Sequence, residues 1–146
     1  MVLMLALVAV TACSAREEEE DDLDFDATDW SAQLASRAGT SVTGSATSRS
    51  VGMEGGSGTS TASVEVRGAT PGARHPWHVH SGTCATGGPI VGDANDYPVL
   101  VVEPDGTADA NAAIGAGMSD DARYHVNVHR SPSDLGTIIA CGDLVD

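Results

Sequence analysis

Beyond its first third, the chain alternates small apolar and polar residues in short runs separated by turns that contain glycine or proline. In the run 61–66, Ala62, Val64 and Val66 share one face, which is the two-residue period of a half-buried strand. Residues 107–114 repeat this pattern with smaller side chains. Because no helical period is found in the sequence after residue 40, the pattern predicts an all-β sandwich or barrel with Greek-key connections.

The first twelve residues are nearly all apolar, and this run is too short to span a bilayer. It predicts a signal peptide over residues 1–12. The segment Val10-Thr-Ala-Cys13 that follows resembles the bacterial lipobox, in which the cysteine is diacylated and becomes the mature N-terminus. The resemblance implies a lipid anchor on Cys13 and a membrane-attached protein of the bacterial envelope, periplasmic or otherwise extracytoplasmic. A plain secretory cleavage is the alternative.

An acidic stretch follows this cysteine. Residues 16–29 hold nine acidic residues and one arginine, and such a run repels itself and buries little apolar surface. We expect residues 13–38 to carry the anchor and a disordered tether, with a helical turn or docking segment near 29–37, and residues 39–146 to form the folded domain. The formal net charge is −14 and the sequence contains no basic patch, so nucleic acid is not an expected partner.

All five histidines lie in the segments 75–80 and 124–129. Side chains alternate along a strand, so His78 and His80 share a face in the first segment. In the second, His125, Asn127 and His129 share a face. Two histidines of one strand and a third from a neighbour can bind one metal ion. A single ion is not expected to take both His125 and His129, because strand rise separates their Cα atoms by about 13 Å.

Cysteine usage agrees with export. If Cys13 carries lipid, Cys84 and Cys141 remain as an even pair in an oxidising compartment. A disulfide between them would stabilise the fold by about 4 kcal/mol in the chain-entropy model. Two free buried thiols are the alternative.

Residues 68–142 resemble the copper/zinc superoxide dismutase superfamily. The matching motifs, in the family's order, are His75-Pro-Trp-His-Val-His80, Asp105-Gly106, Val128-His129 with Asp134-Leu-Gly136, and Ala140-Cys-Gly142. The resemblance implies an immunoglobulin-like Greek-key sandwich. It also implies residue roles: copper ligands His78, His80 and His129; a structural His75; a disulfide between Cys84 and Cys141; and an Asp134 that holds its loop or orients a ligand.

The chain differs from this family at positions that the family uses for catalysis. Ile90 stands where the family has the histidine that bridges copper and zinc, and Ile138 stands where it has an arginine that guides superoxide. The remaining zinc histidines are absent from the sequence. We therefore expect copper rather than zinc, with weak or absent dismutase activity, and assign no catalytic residue. An active copper-only dismutase with a fourth ligand, either His125 or Asp93, is the alternative enzyme hypothesis.

A second resemblance leads to a different class of protein. Tyr124-His-Val-Asn-Val-His129, together with the first histidine strand and Gly87-Gly-Pro-Ile-Val91, resembles the CHRD domain. This module is also a β-sandwich. The resemblance implies a structural or interaction domain that needs no metal.

Overall fold

The computed structural model describes residues 25–53 and 57–146. They form nine strands and one short 3-10 helix, Ala94–Asp96, so the all-β prediction is confirmed. The strands are β1 (Phe25–Ser36), β2 (Thr43–Met53), β3 (Ser57–Arg67), β4 (Arg74–His75), β5 (Trp77–Ser81), β6 (Leu100–Val101), β7 (Ala108–Ile114), β8 (Tyr124–Ser131) and β9 (Asp134–Leu144). In the part of the chain described, no helix is long and apolar enough to cross a membrane.

Seven strands form one curled antiparallel sheet in the order β5-β8-β9-β1-β2-β3-β7, and β4 pairs with β6. β1 joins the two halves of this sheet. Its residues up to Leu34 pair with β2, and its last two, Ala35 and Ser36, pair with Cys141 and Ala140 of β9. The strand order is not the chain order, because β7 returns to β3 and β8 returns to β5. The architecture is consistent with a β-sandwich or barrel.

The folded domain includes residues that the sequence prediction assigned to the tether. Trp30, Ala32 and Leu34 of β1 are all buried in the core. The helical turn expected near residues 29–37 is therefore wrong, and the sheet begins before the boundary expected at residue 39. The signal peptide, the lipid-anchor cysteine Cys13 and the acidic run up to residue 24 lie outside the described residues.

The core follows the predicted alternation on β3 and β7. Ala62, Val64 and Val66 are buried, and β7 buries every second residue from Ala108 to Ile114. The small side chains of β7 lie in register with β3. Burying one valine or isoleucine side chain contributes roughly 1.5–3 kcal/mol. The core of this small domain is therefore built from many modest contributions.

Cys84 and Cys141 form a disulfide. It joins the segment after β5 to β9 across 57 residues of sequence. A loop of this length corresponds to about 4 kcal/mol in the chain-entropy model. The bridge also fixes the beginning of the segment that covers the histidines.

Candidate metal centre

The two histidine segments are neighbouring strands. β5 and β8 pair antiparallel, with His78 opposite Asn127 and His80 opposite His125. Trp77 and Val79 occupy the alternate positions of β5 and lie in the hydrophobic core. The histidines therefore occupy the other face of the same strands. That face is also buried, since no residue from Trp77 to His80 is more than 9% exposed.

The segment after β5 runs along the free edge of β5 and helps to bury this second face. It folds back so that Ser81 N donates to Pro89 O and Val91 N donates to Val79 O, at 3.0 and 2.9 Å. Further along, the ring of Tyr97 packs edge-on against His78 at a centroid distance of 5.2 Å. The Tyr97 hydroxyl donates to Val91 O at 2.7 Å, and burial raises the pKa of this phenol. Sequence reasoning missed Tyr97, because no pattern marked it within an irregular loop.

His78, His80 and His129 come together as the sequence predicted. Each offers one possible ligand atom, and these atoms all lie within 4.8 Å of one another. His78 Nδ1 is 3.1 Å from His129 Nε2. All three side chains are buried. Within the described residues, this is the one group of histidine, cysteine or acidic side chains that meets the geometric criteria for holding a metal ion.

Backbone carbonyls orient two of these rings. His80 Nδ1 lies 2.9 Å from Gly88 O, and His129 Nδ1 lies 2.7 Å from Leu135 O. A carbonyl can only accept, so each Nδ1 carries the proton and each Nε2 presents a lone pair, as in protein metal sites. Residue 88 must be glycine for this approach, because a Cβ there would collide with the carbonyl of Ser81.

The triad is neutral at physiological pH. Burial and, to a smaller extent, the neighbouring His129 and His80 together lower the pKa of His78 to about 4. Burial is also the main cause that lowers the pKa of His80 and of His129. Neutral imidazole is the form that ligates a metal, so protons compete little at these nitrogens near neutral pH.

The geometry fits a first-row transition metal. An ion held at 2.0–2.1 Å by three nitrogens keeps them about 3.3–3.6 Å apart in trigonal or tetrahedral sites. The His78–His129 pair, at 3.1 Å, is already near that spacing. A pair at the 4.8 Å limit would need to close by about 1.2–1.5 Å. His80 Nε2 has no hydrogen-bond partner among the described residues. Such a buried lone pair calls for an explanation, and a metal ion supplies one.

No protein-family model matches the chain, and no curated protein does.

The other histidines and Asp134 have different surroundings. His75 Nδ1 donates to the carbonyls of His129 and Arg130, at 3.1 and 2.8 Å, so it ties β4 to β8. Asp134 accepts from Thr137 N at 3.1 Å and lies 3.5 Å from Arg130 Nε. These contacts hold the hairpin that carries the Leu135 carbonyl. Asp134 thus affects the triad through the loop.

Neither residue expected as a fourth ligand lies in a ligand position of the triad. Asp93 accepts from Asn95 N at 2.8 Å and caps the 3-10 helix. His125 lies directly across from His80 and stacks on its ring at a centroid distance of 5.3 Å. It is 1% exposed, so it belongs to the buried face of this strand pair.

Apolar side chains flank the triad. Ile90 forms an isolated bridge with His80. Ile138 lies opposite His129. Residues directly opposite in an antiparallel pair present their side chains on the same face. Ile90 and Ile138 therefore lie beside the triad and contribute neither a ligand nor a charge.

Proposed function

We propose that the protein binds one copper ion through His78, His80 and His129. The supporting observation is a buried, neutral triad in which two rings already have the ligating tautomer. Imidazole suits copper and zinc alike, and copper forms the stronger complexes in the affinity series of divalent ions. The domain would be a relative of the copper/zinc dismutases that keeps the copper ligands without the zinc site.

We further propose that the protein stores, delivers or sequesters copper, and that dismutase activity is weak or absent. Rapid dismutation needs superoxide to reach the ion, and charge steers that encounter. Here the triad is buried, Tyr97 packs against His78, Ile90 and Ile138 flank the other two histidines, and the chain carries a formal charge of −14. An anion would be repelled over long distances and would find no guiding cation at Ile138.

The cellular setting in this proposal is the bacterial envelope, with a lipid on Cys13 attaching the domain to a bilayer. The lipobox resemblance and the disulfide, which is typical of oxidising compartments, support it. A Cys13→Ser variant would move the protein from the membrane fraction to the soluble fraction. Retention of that variant in membranes after a carbonate wash would contradict lipid anchoring.

Three single variants, each with asparagine in place of one histidine, test copper binding. Asparagine places its Nδ2 close to the position of histidine Nδ1, so His80→Asn and His129→Asn keep the bond to a carbonyl and lose the Nε2 ligand. His75→Asn is the matched control, because His75 makes the same type of bond to backbone carbonyls and is not a proposed ligand. Copper affinity, measured against a competing chelator, should fall about 100-fold or more for the two triad variants. It should be unchanged for His75→Asn.

Equal copper affinity in all three variants and the unmodified protein would overturn the proposed triad. Circular dichroism and the retained disulfide check that each variant is folded. A superoxide assay on the copper-loaded protein then tests the functional part. A rate near the diffusional limit would contradict the storage proposal and favour an active dismutase.

A further inference from the structure

The histidine face contains more buried polar atoms than the triad accounts for. Three buried side-chain atoms have no hydrogen-bond partner in the described structure: His80 Nε2, His125 Nδ1 and Asn127 Oδ1. An ion in the triad accounts for His80 Nε2. The other two belong to residues that are 1% and 4% exposed and that have no role in the proposed ligand set.

Only one of the two polar atoms of the Asn127 amide has a hydrogen-bond partner. Its Nδ2 lies 3.3 Å from His125 Nε2. If the amide were turned over, Oδ1 would face His125 and Nδ2 would lose its partner. In either orientation one strongly polar atom is left buried and unpaired, which is costly and rare in folded proteins.

The strand register places Asn127 beside the triad. It lies directly opposite His78 and two residues before His129, on the same face as both. Its amide contact is with His125, further along the strand. Its other neighbours on this face are His78 and His129 of the proposed ligand set and the disulfide-bonded Cys141, which lies opposite on β9. The Asn127 amide therefore lies next to two of the proposed ligands.

Three histidines leave a first-row metal ion one position short of tetrahedral coordination, and this position commonly holds water. We infer that Asn127 is a positioning residue that hydrogen-bonds a water molecule completing the coordination of the ion. The inference rests on the proposed copper site. This role explains why an asparagine lies between Val126 and Val128 in a buried strand. Its amide hydrogen-bonds a small polar ligand, and the contact of Nδ2 with His125 holds the amide in place.

The test uses copper(II) itself as the probe. Electron paramagnetic resonance is recorded in water enriched in the magnetic isotope of oxygen, which broadens the copper lines only if water is a ligand. The variant is Asn127→Leu, which has nearly the same volume and no hydrogen-bonding atoms. Asn111→Leu is the matched control, since Asn111 is exposed on β7 and bonds to Ser63.

We expect broadening in the unmodified protein and in Asn111→Leu, and its loss in Asn127→Leu at unchanged copper stoichiometry. Asn127→Val, which suits a strand, replaces the leucine variant if that one does not fold. Equal broadening with and without the amide would overturn the inference. So would its absence from the unmodified protein, or loss of copper from the folded variant, which would make Asn127 a ligand.

These outcomes separate the inference from the function on which it rests. If the unmodified protein binds no copper, the proposed function fails and the water site fails with it. If copper binds and the three triad nitrogens hold it, only the broadening experiment decides the role of Asn127. Thermal unfolding of the copper-free variants adds a second readout. A large fall in the midpoint for both Asn127 variants would indicate a framework role and contradict the inference.

Discussion

The two halves of the sheet differ in how they use their outer face. In the regular half, formed by β1, β2, β3 and β7, every second residue is buried and the other face meets solvent. In the histidine half, β5 and β8 are buried on both faces. Here one face packs into the core and the other carries the histidines under a covering loop. Burial in the first half stabilises the fold, whereas burial in the second also keeps imidazoles neutral and close together.

The largest loss of stability is expected at Trp77, which lies in the core beside the covered histidine face. Trp77 is fully buried in the core and its Nε1 donates to Pro98 O at 2.8 Å, next to Tyr97 of the cover. Trp77→Ala should lower the free energy of unfolding by about 3–5 kcal/mol. It should also weaken copper binding, because the cover loses its anchor. Urea titration and chelator competition measure the two effects; an unchanged copper affinity would show that the cover is dispensable.

A core change in the regular half should leave the metal centre alone. Ile114 of β7 is 1% exposed, and Ile114→Ala should cost about 2–5 kcal/mol in unfolding free energy. Copper affinity of the folded fraction should be unchanged. Ala113→Ser, on the exposed face of the same strand, is the control with little expected effect. A loss of copper affinity in Ile114→Ala would mean that the two halves are coupled.

The pH dependence of stability should arise in the histidine half. The folded-state pKa of His78 is about 4, below its ordinary value of 6.5. Between these values the unfolded chain binds the extra proton, so stability is complete above pH 6.5 and falls as pH drops toward 4. Urea midpoints measured across this range without copper should show the fall. His78→Gln should reduce the fall without abolishing it, because burial also lowers the pKa of His80 and His129. A fall of unchanged size in this variant would show that His78 is not its source.

The smallest effects on the free energy of unfolding are expected at two exposed carboxylates, one in each half of the sheet. Asp29 lies 2.7 Å from Arg49 on the outer face of β1, and this exposed pair should contribute less than about 1 kcal/mol. Asp134→Ala removes the bond to Thr137 N and should cost about 1 kcal/mol. It should also lower copper affinity by about tenfold, because it loosens the loop that orients His129. Equal copper affinity in Asp29→Ala and Asp134→Ala would remove Asp134 from the account.

Alternation made much of this molecule predictable from sequence. A period of two fixes which residues share a face, so it identified the buried face of β3 and paired His78 with His80 before any fold was known. The two-residue alternation does not show which strand faces become buried. It therefore gave no role to Tyr97 and did not show that His125 is buried against the ring of His80.

β1 shows how the same pattern can be ambiguous. Trp30, Ala32 and Leu34 alternate as in a strand, and the first and last of them are also four apart, as on one face of a helix. The neighbouring acidic run favoured a tether. The pairing with β2 and β9 that makes this segment a strand is a long-range property, and no local signal reports it.

The fine geometry of the triad also depends on features that side chains do not encode. Backbone carbonyls of Gly88 and Leu135 set the tautomers, and a register shift between β8 and β9 begins at His129. Such irregularities in a ladder re-aim side chains and are common beside functional sites. The sequence identifies the three histidines, and these backbone features bring their nitrogens together.

Copper content tests the central claim most directly. The purified protein is loaded with copper(II), passed over a chelating resin and analysed by X-ray absorption at the copper edge. The account predicts one copper ion per chain, with imidazole nitrogens at about 2.0 Å, and its loss in His80→Asn and His129→Asn. Protein that leaves the resin without copper, or copper bound equally well by those two variants, would contradict it.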